Sequence, residues 1–326
     1  MKSEILRLLK ESNDYISGQQ LCDRFHVSRT AVWKAIEQLK KEGYEIEAVR
    51  NRGYRLLDSP DIMSETEIKS LMETEWAGKE VLYFDEIDST NNRAKELGEK
   101  DGTHGTLLVA DRQVAGKGRR GRVWESPKGI SIYMTILLRP QLIPTKAPVL
   151  TLVMAQSVAE GIRDVTGMEV GIKWPNDIVM NKKKVCGILT EMSTEIDYIN
   201  YVVIGVGINV NQKSFDEELK DKATSLMIET GTPVKRSALI AAVMKHFEKN
   251  YTIFMERGDL SGLQESYNQM LVNRGKEVRI LEPGHEYNAI ASGINETGEL
   301  IVHTPDGEEK HIFAGEVSVR GIYGYV

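Results

Sequence analysis

Residues 112–122 carry five basic side chains and no acidic one: Arg112, Lys117, Arg119, Arg120 and Arg122, interrupted by Gly116, Gly118 and Gly121. Guanidinium groups offer forked donors that match phosphate and carboxylate oxygens, and glycines let a backbone approach a ligand closely. The chemistry to which this composition is suited is the gathering of anions. A solvated cationic loop, or a nonspecific contact to nucleic acid, is the plain alternative. The pattern Gly-x-x-x-x-Gly-Lys-Ser/Thr is absent, so the loop is not a Walker motif, and Gly205-Val206-Gly207 lacks the third glycine of a dinucleotide fingerprint. Any phosphate binding must rest on side chains and on a loop that folds over its ligand.

That loop must be held by the elements beside it. Strands are expected at 106–110 and 130–138, and a connection of this length is too long for a simple hairpin. Around them, strands are predicted at 81–86, 170–173, 178–180, 185–192 and 201–210, with helices at 89–98, 150–165, 235–256 and 260–270. Strand pairs joined by short turns predominate, so the expectation is a mixed sheet covered by helices rather than a doubly wound parallel one.

The first sixty residues read differently. Ile5, Leu6, Leu8 and Leu9 form one apolar stripe, Leu21 and Phe25 a second, and Val32, Ala35, Ile36 and Leu39 a third, each at helical spacing. A strand at 44–49, a turn at Asn51-Arg52-Gly53 and a return at 54–57 follow, which is the pattern of a winged helix-turn-helix. Ser28 is placed to cap the third helix, whose outer surface would present Arg29, Thr30, Trp33 and Lys34, while Arg50, Arg52 and Arg55 crowd the wing. Arginine can pair with guanine edges and lysine can neutralise a phosphate, so both elements that such a head offers to DNA are basic. A merely solvated charged helix is the competing reading. At the other end, strands at 276–281, 287–294, 300–304, 311–314 and 317–320, separated by Pro283-Gly284, Thr297-Gly298 and Asp306-Gly307, predict a small β-barrel. The expected fold class is therefore α+β in three domains: 1–62 binding DNA, 63–270 carrying the chemistry, and 271–326 forming the barrel.

Composition narrows the class further. Of 326 residues, 41% are hydrophobic and 28% charged, with a formal net charge of -6, the balance of a globular protein rather than of a uniformly basic one. No apolar run has the length of a membrane span, and residues 1–10 lack the apolar core of a secretory signal, so no membrane association and a cytoplasmic location are expected. Cys22 and Cys186 lack metal-ligand spacing and the six histidines are scattered, so no permanent metal site is expected.

Several motifs occur in order: Ser89-Thr90-Asn91, Gln113, Gly116-Lys117-Gly118-Arg119-Arg120-Gly121-Arg122-x-Trp124, Lys173-Trp174-Pro175-Asn176-Asp177, Lys184 followed by Gly187-Ile188-Leu189, and Gly205-x-Gly207-Ile208-Asn209. Together they resemble the biotin-protein ligases, and with the winged head in front the chain is similar along its length to the bifunctional ligase and biotin operon repressors. Lys117 departs from the pattern, standing where close relatives often have arginine.

The resemblance implies a class II synthetase-like central domain, as in biotin and lipoate ligases, and an SH3-like carboxy-terminal barrel. It implies a biotin-[acetyl-CoA-carboxylase] ligase activity with biotin, ATP and Mg2+, in which biotin's carboxylate attacks the α-phosphate of ATP and a lysine of a biotin-carrier domain then displaces AMP. Ser89, Thr90, Asn91 and Gln113 would hold the biotin head, with Gly116, Lys117, Gly118 and Arg119 over its activated carboxyl. Arg120, Arg122, Trp124, Asn176 and Asn209 would attend the nucleotide, and Lys184, with Arg119, would stabilise charge at the reacting centre. A homodimer on a palindromic operator, with biotinyl-adenylate as corepressor, is likewise implied. A lipoate ligase, which shares the central fold, and a ligand-sensing repressor without catalysis are the competing readings. The Gly-x-Gly-Arg-Arg-Gly pattern beside the winged head favours biotin over the first, and Lys184 with the complete basic loop favours an enzyme over the second.

Overall fold

Three amphipathic helices open the chain, each burying the stripe that its spacing foretells. The computed structural model describes residues 1–282, 285–313 and 318–321, and its contacts divide into two compact units, residues 1–73 with 235–241 and residues 74–234 with 242–326.

In the first unit, α1 (Lys2–Glu11), α2 (Gly18–Phe25) and α3 (Arg29–Lys41) enclose a core of Ile5, Leu6, Leu9, Leu21, Val32, Ile36 and Leu39. Ser17 and Ser28 cap α2 and α3, each accepting from a backbone N–H three residues on. The antiparallel pair β1 (Glu45–Val49) and β2 (Gly53–Asp58) forms the wing. Gly53 has φ +118°, and a Cβ there would lie 2.1 Å from the carbonyl oxygen of Ile16. That close approach lets Ile16 and Tyr54 exchange two backbone hydrogen bonds of 2.9 Å, adding a third segment to the wing. A short helix that the periodicity did not disclose, α4 (Glu65–Leu71), completes this unit. Arg7 of α1 donates to the carbonyls of Lys69, Ser70 and Met72 at its end, satisfying groups that the helix itself leaves open.

The second unit is built on a seven-stranded sheet in the order β3-β4-β5-β9-β8-β7-β6. Its elements are β3 (Val81–Phe84), α5 (Thr90–Glu99), β4 (Leu107–Ala110), β5 (Ile132–Leu138), α6 (Leu150–Thr166), β6 (Gly171–Lys173), β7 (Asp177–Met180), β8 (Lys183–Thr194) and β9 (Ile199–Ile208). Only β3 and β4 run parallel, so the sheet is mixed as expected. Side chains alternate between the two faces. Tyr201 and Val203 pack with Ala94 under α5. The opposite face carries Thr190, whose hydroxyl meets that of Thr151 on α6 at 2.8 Å, and α6 is buried along most of its length. The helices α7 (Leu226–Thr230), α8 (Arg236–Arg257), of which residues 242–257 belong to this unit, and α9 (Gln264–Met270) follow. The helix expected at 260–270 is shortened, because residues 260–263 form a turn in which the Leu263 N–H meets the Leu260 carbonyl at 2.8 Å.

The carboxy-terminal strands β10 (Lys276–Glu282), β11 (His285–Ile294), β12 (Leu300–His303), β13 (Glu309–Ile312) and β14 (Ser318–Gly321) form one antiparallel sheet in the order β13-β12-β11-β10-β14. The fourth strand begins two residues before the expected 311, since the turn at Gly307 already bonds back to Thr304 at 2.9 Å. The expected Pro283-Gly284 turn, and Ala314 and Val317 of the expected strands, lie outside the described residues. Among the described residues no helix is long and apolar enough to cross a membrane, and no three potential ligands cluster as a metal site.

Candidate active site

The α5 face of the sheet has a bare patch. Gly187 pairs with Gly207, which pairs with Tyr133, and Gly205 pairs with Leu189 and Thr135. Cβ atoms would collide here: at Gly205 with Asn91 Oδ1 at 2.1 Å, at Gly207 with the Trp124 indole at 2.6 Å, and at Gly187 with Lys184 and Trp124 at 2.9 Å. The glycines therefore admit the groups that surround a cavity. It is lined by Ser89, Thr90, Asn91 and Gln113 on one side and by Lys117, Gly118, Arg119, Trp124, Asn176 and Lys184 on the other.

The polar side is tightly specified. Gln113 Oε1 accepts from the Thr90 N–H at 2.8 Å and lies 3.0 Å from the Thr90 hydroxyl, while its amide nitrogen donates to Ser126 Oγ at 3.0 Å. Thr135 Oγ1 is 2.7 Å from Asn91 Oδ1 and 2.8 Å from Thr90 Oγ1. Asn91, only 4% exposed, donates to Glu191 Oε2 at 2.8 Å and to the Leu189 carbonyl at 3.2 Å. Ser89 occupies the N-cap position of α5, yet its side chain makes no capping bond. A buried hydroxyl at the cavity wall, released from the capping role that its position offers, is available to a ligand.

The basic loop folds as a small hairpin. Trp124 N–H donates to Gly116 O at 2.9 Å and Gly118 N–H to Arg122 O at 2.7 Å, with a 3-10 turn at Arg119–Gly121 and Arg120 at φ +57°. A Cβ on Gly116 would meet the Trp124 carbonyl at 2.3 Å, so this closure requires glycine there. Arg119 turns inward, donating to Asn176 Oδ1 at 2.9 Å, and Asn176 in turn donates to the Ile188 carbonyl at 3.0 Å. Burial holds the Arg119 guanidinium below its ordinary value, with Asp177 opposing and the neighbouring Arg120 and Arg122 adding to the effect. Lys117 reaches Asn92 at 2.8 Å. The Trp124 ring covers the glycine patch, and its indole N–H finds no acceptor among the described residues.

Lys184 owes its place to an irregularity. The β7–β8 register shifts between Ile178 and Val179, so β8 carries an extra residue at Val185. Such a bulge resets the alternation of faces and brings Lys184 to the cavity, with Nζ 2.5 Å from Asp177 Oδ1 and 5.3 Å from the centre of the Trp124 ring.

Not every expected residue lines the cavity. Gly116 shapes the loop from behind, and Arg120 and Arg122 are exposed beyond the rim. Asn209 is buried past the end of β9, where it donates to the Thr224 carbonyl at 3.1 Å and ties the 223–226 segment to the sheet. Trp174 is packed, its indole donating to the Gly298 carbonyl at 3.2 Å. Conversely, Thr135, Ser126, Glu191 and Lys95 belong to the site's network without having been singled out, and Asp177, quoted only as part of a motif, joins it through Lys184. One signal was present in the sequence: in β8, Gly187, Leu189 and Glu191 are two apart and so share a face, which sets a carboxylate beside the glycine patch.

In the winged unit, Arg29, Thr30, Trp33 and Lys34 stand together on the outer surface of α3, with Trp33 54% exposed. Arg50 and Arg52 are exposed at the wing tip. Arg52 lies over the Tyr15 ring at 4.3 Å and 3.6 Å from Asp14. Arg55 is drawn back along β2 to Glu47 at 3.2 Å.

Residues 83–209 match the biotin/lipoate A/B protein ligase family, residues 2–55 a helix-turn-helix domain, and residues 275–320 the biotin protein ligase C-terminal domain. The chain is 42% identical to a bifunctional ligase/repressor of Bacillus subtilis, covering 98% of each chain. It is 29% identical to that of Escherichia coli, over 96% of this chain and 95% of that one. Among solved structures, it is similar to the biotin protein ligase from Aquifex aeolicus in complex with biotin and ATP, at 34% identity and TM-score 0.66, over 74% of this chain and 99% of that one. Family models, full-length relatives and fold agree, and the chain belongs to the bifunctional ligase/repressors of the biotin protein ligase family.

Proposed function

We propose that the chain condenses biotin with ATP to biotinyl-5'-AMP, transfers the biotinyl group to a lysine of a biotin-carrier domain, and represses biotin genes through its winged head with the adenylate as corepressor. In the first step a carboxylate oxygen of biotin bonds to the α-phosphorus and pyrophosphate leaves. In the second, the lysine amine attacks the acyl carbon, loses a proton, and AMP leaves. The observation that carries this reading is the convergence of Arg119 and Lys184 on one side of a glycine-floored cavity whose other side is the Thr90–Gln113 network.

Two anions must meet in the first step. Unit charges about 4 Å apart interact by about 1 kcal/mol in water and about 4 kcal/mol at an effective dielectric of about 20, so a closed site makes each cation count for more. Arg119 and Lys184 take the reacting carboxylate and phosphate, and Lys117 and Gly118 cover them. Ser89, Thr90, Asn91 and Gln113 receive the ureido ring. Trp124 and Asn176 face the nucleotide, Arg120 and Arg122 serve it from beyond the rim, and Asn209 supports that side from behind the lining by holding the Thr224 carbonyl. Magnesium enters as the partner of ATP, a role suited to an ion that is commonly held by substrate phosphates and one or two carboxylates. Asp177 is the carboxylate at hand.

The division of labour follows the segments 1–62, 63–270 and 271–326. Repression would use a homodimer, because one winged head on one half-site makes few contacts and two heads add. A cytoplasmic setting supplies both ATP and the carrier domains. Incubation of the purified chain with biotin, MgATP and a biotin-carrier domain, read by mass spectrometry, is expected to yield a biotinylated carrier. No adenylate and no mass shift would refute the assignment.

A further inference from the structure

Glu191 is a carboxylate on the cavity face of β8 that the chemistry above leaves without a task. Its Oε1 is 2.7 Å from Lys95 Nζ and its Oε2 accepts from Asn91 Nδ2 at 2.8 Å. Burial works against its ionisation, but the bonds from Lys95 and Asn91 more than offset this and hold the carboxyl below its usual range. An ionised carboxylate only accepts. With the Leu189 carbonyl, a second and longer acceptor at 3.2 Å, it holds Asn91 with its NH2 toward β8 and its oxygen toward Thr135, 2.7 Å away; Glu191 supplies the shorter and charged of the two bonds.

The consequence passes along the chain of hydroxyls. Thr135 must spend its single proton on Asn91 Oδ1, so toward Thr90 it shows lone pairs. Thr90 has acceptors on both sides, Thr135 Oγ1 at 2.8 Å and Gln113 Oε1 at 3.0 Å, and gives its own proton to one of them. Gln113 is fixed as an acceptor because the Thr90 backbone N–H already donates to it. What Thr90 then offers the cavity is lone pairs only. If Asn91 turned over, Thr135 would donate to Thr90 and occupy a lone pair that a ligand N–H needs.

We propose that Glu191, braced by Lys95, is a positioning residue for substrate selection: it sets the direction of the Asn91–Thr135–Thr90 hydrogen bonds so that the cavity demands an acid whose ring carries N–H donors. This rests on the biotin reading above and deepens it, since a cyclic urea supplies such donors and a disulfide ring does not.

The test uses the full chain and Glu191→Ala and Glu191→Gln variants, with steady-state pyrophosphate release on biotin and on a ring-N-methylated biotin. Glu191→Ala is expected to raise the KM for biotin about tenfold, with kcat and the KM for MgATP within about twofold, and to reduce the preference for biotin over the methylated analogue by the same factor. Glu191→Gln, which can still present an oxygen to Asn91, is expected to fall between, and it carries the test should the alanine variant not fold. An unchanged KM, or equal weakening of both acids as a general loosening would give, overturns the proposal. A wild-type chain that activates neither acid overturns the underlying reading and the proposal with it.

Discussion

Replacing Gly205 with alanine places a methyl group 2.1 Å from Asn91 Oδ1, a separation that no real contact sustains. The backbone of β9 cannot retreat easily, because Gly205 is paired with Thr135 on one side and Leu189 on the other. Asn91 must move instead, and its amide is the donor to the Glu191 carboxylate. Overfilling a packed interior costs about 1–3 kcal/mol, and a hydrogen bond to a charged group contributes about 1.5–3 kcal/mol. Gly205→Ala is thus expected to lower unfolding stability by about 3 kcal/mol, read from urea denaturation, and to raise the KM for biotin because Thr90 and Thr135 lose their ordered neighbour. The double variant Gly205→Ala/Asn91→Ala removes the collision, so it should be no less stable than Asn91→Ala alone, and the cycle should show a coupling of 1 kcal/mol or more, on the order of values for contacting residues. Additive effects of the two substitutions, or a Gly205→Ala protein with unaltered stability and KM, would show that Asn91 is not seated as described.

Arg119→Ala and Lys184→Ala should each slow adenylate formation on the order of a hundredfold in single-turnover assays, the scale for loss of one preorganised charge donor, with unchanged circular dichroism. Wild-type rates would remove these residues from the reacting centre. On the head, Lys34→Ala should weaken operator binding across sequences and reduce its salt dependence by about one unit of slope, while adenylate formation stays as it was. A loss confined to one operator position would mark Lys34 as a base reader instead. His246 bridges Glu160 at 3.2 Å and Asp164 at 2.7 Å, and its bond to Glu160 raises its pKa despite burial. Its contribution to stability is therefore complete below the ordinary histidine range and lost as pH rises through the raised value. Urea midpoints should fall over that interval in the wild type, and the fall should be smaller in His246→Gln.

The sequence discloses most where one element suffices to explain a residue. The three head helices announce themselves because Val32, Ala35, Ile36 and Leu39 must share one side of any helix that contains them. The basic loop is legible by composition, and its inward residue Arg119 and the nearby Lys184 do reach one cavity. What stays hidden depends on partners distant in the chain. Gly205 and Gly207 read as a motif, but their purpose appears only when β9 lies beside β5 and β8 and Asn91 and Trp124 come to rest on them. Lys184 reaches the cavity through a bulge that no local pattern encodes. Asn209 reads as a nucleotide contact, whereas its side chain is engaged with Thr224 behind the lining. Thr135 and Glu191 look like ordinary polar residues in apolar strands until pairing sets them around Asn91. The short helices α4 and α7 offer too few turns for a periodic signal, and the turn at 260–263 carries enough apolar residues to imitate one.

The seating of Trp124 on bare backbone gives the molecule an optical probe of its own. The chain has four tryptophans: Trp174 is sealed in the interior, Trp76 packs at tilted and edge-on angles among His104, Phe247 and Tyr251, and Trp33 stands exposed on α3. If the proposed site assignments hold, Trp124, whose indole N–H has no acceptor among the described residues, should change its emission when a nucleotide is added, and Trp33 should do so when operator DNA is added. With each fluorophore silenced in turn by phenylalanine, the two halves of this protein's work can be watched in the same cuvette without attaching a label to either.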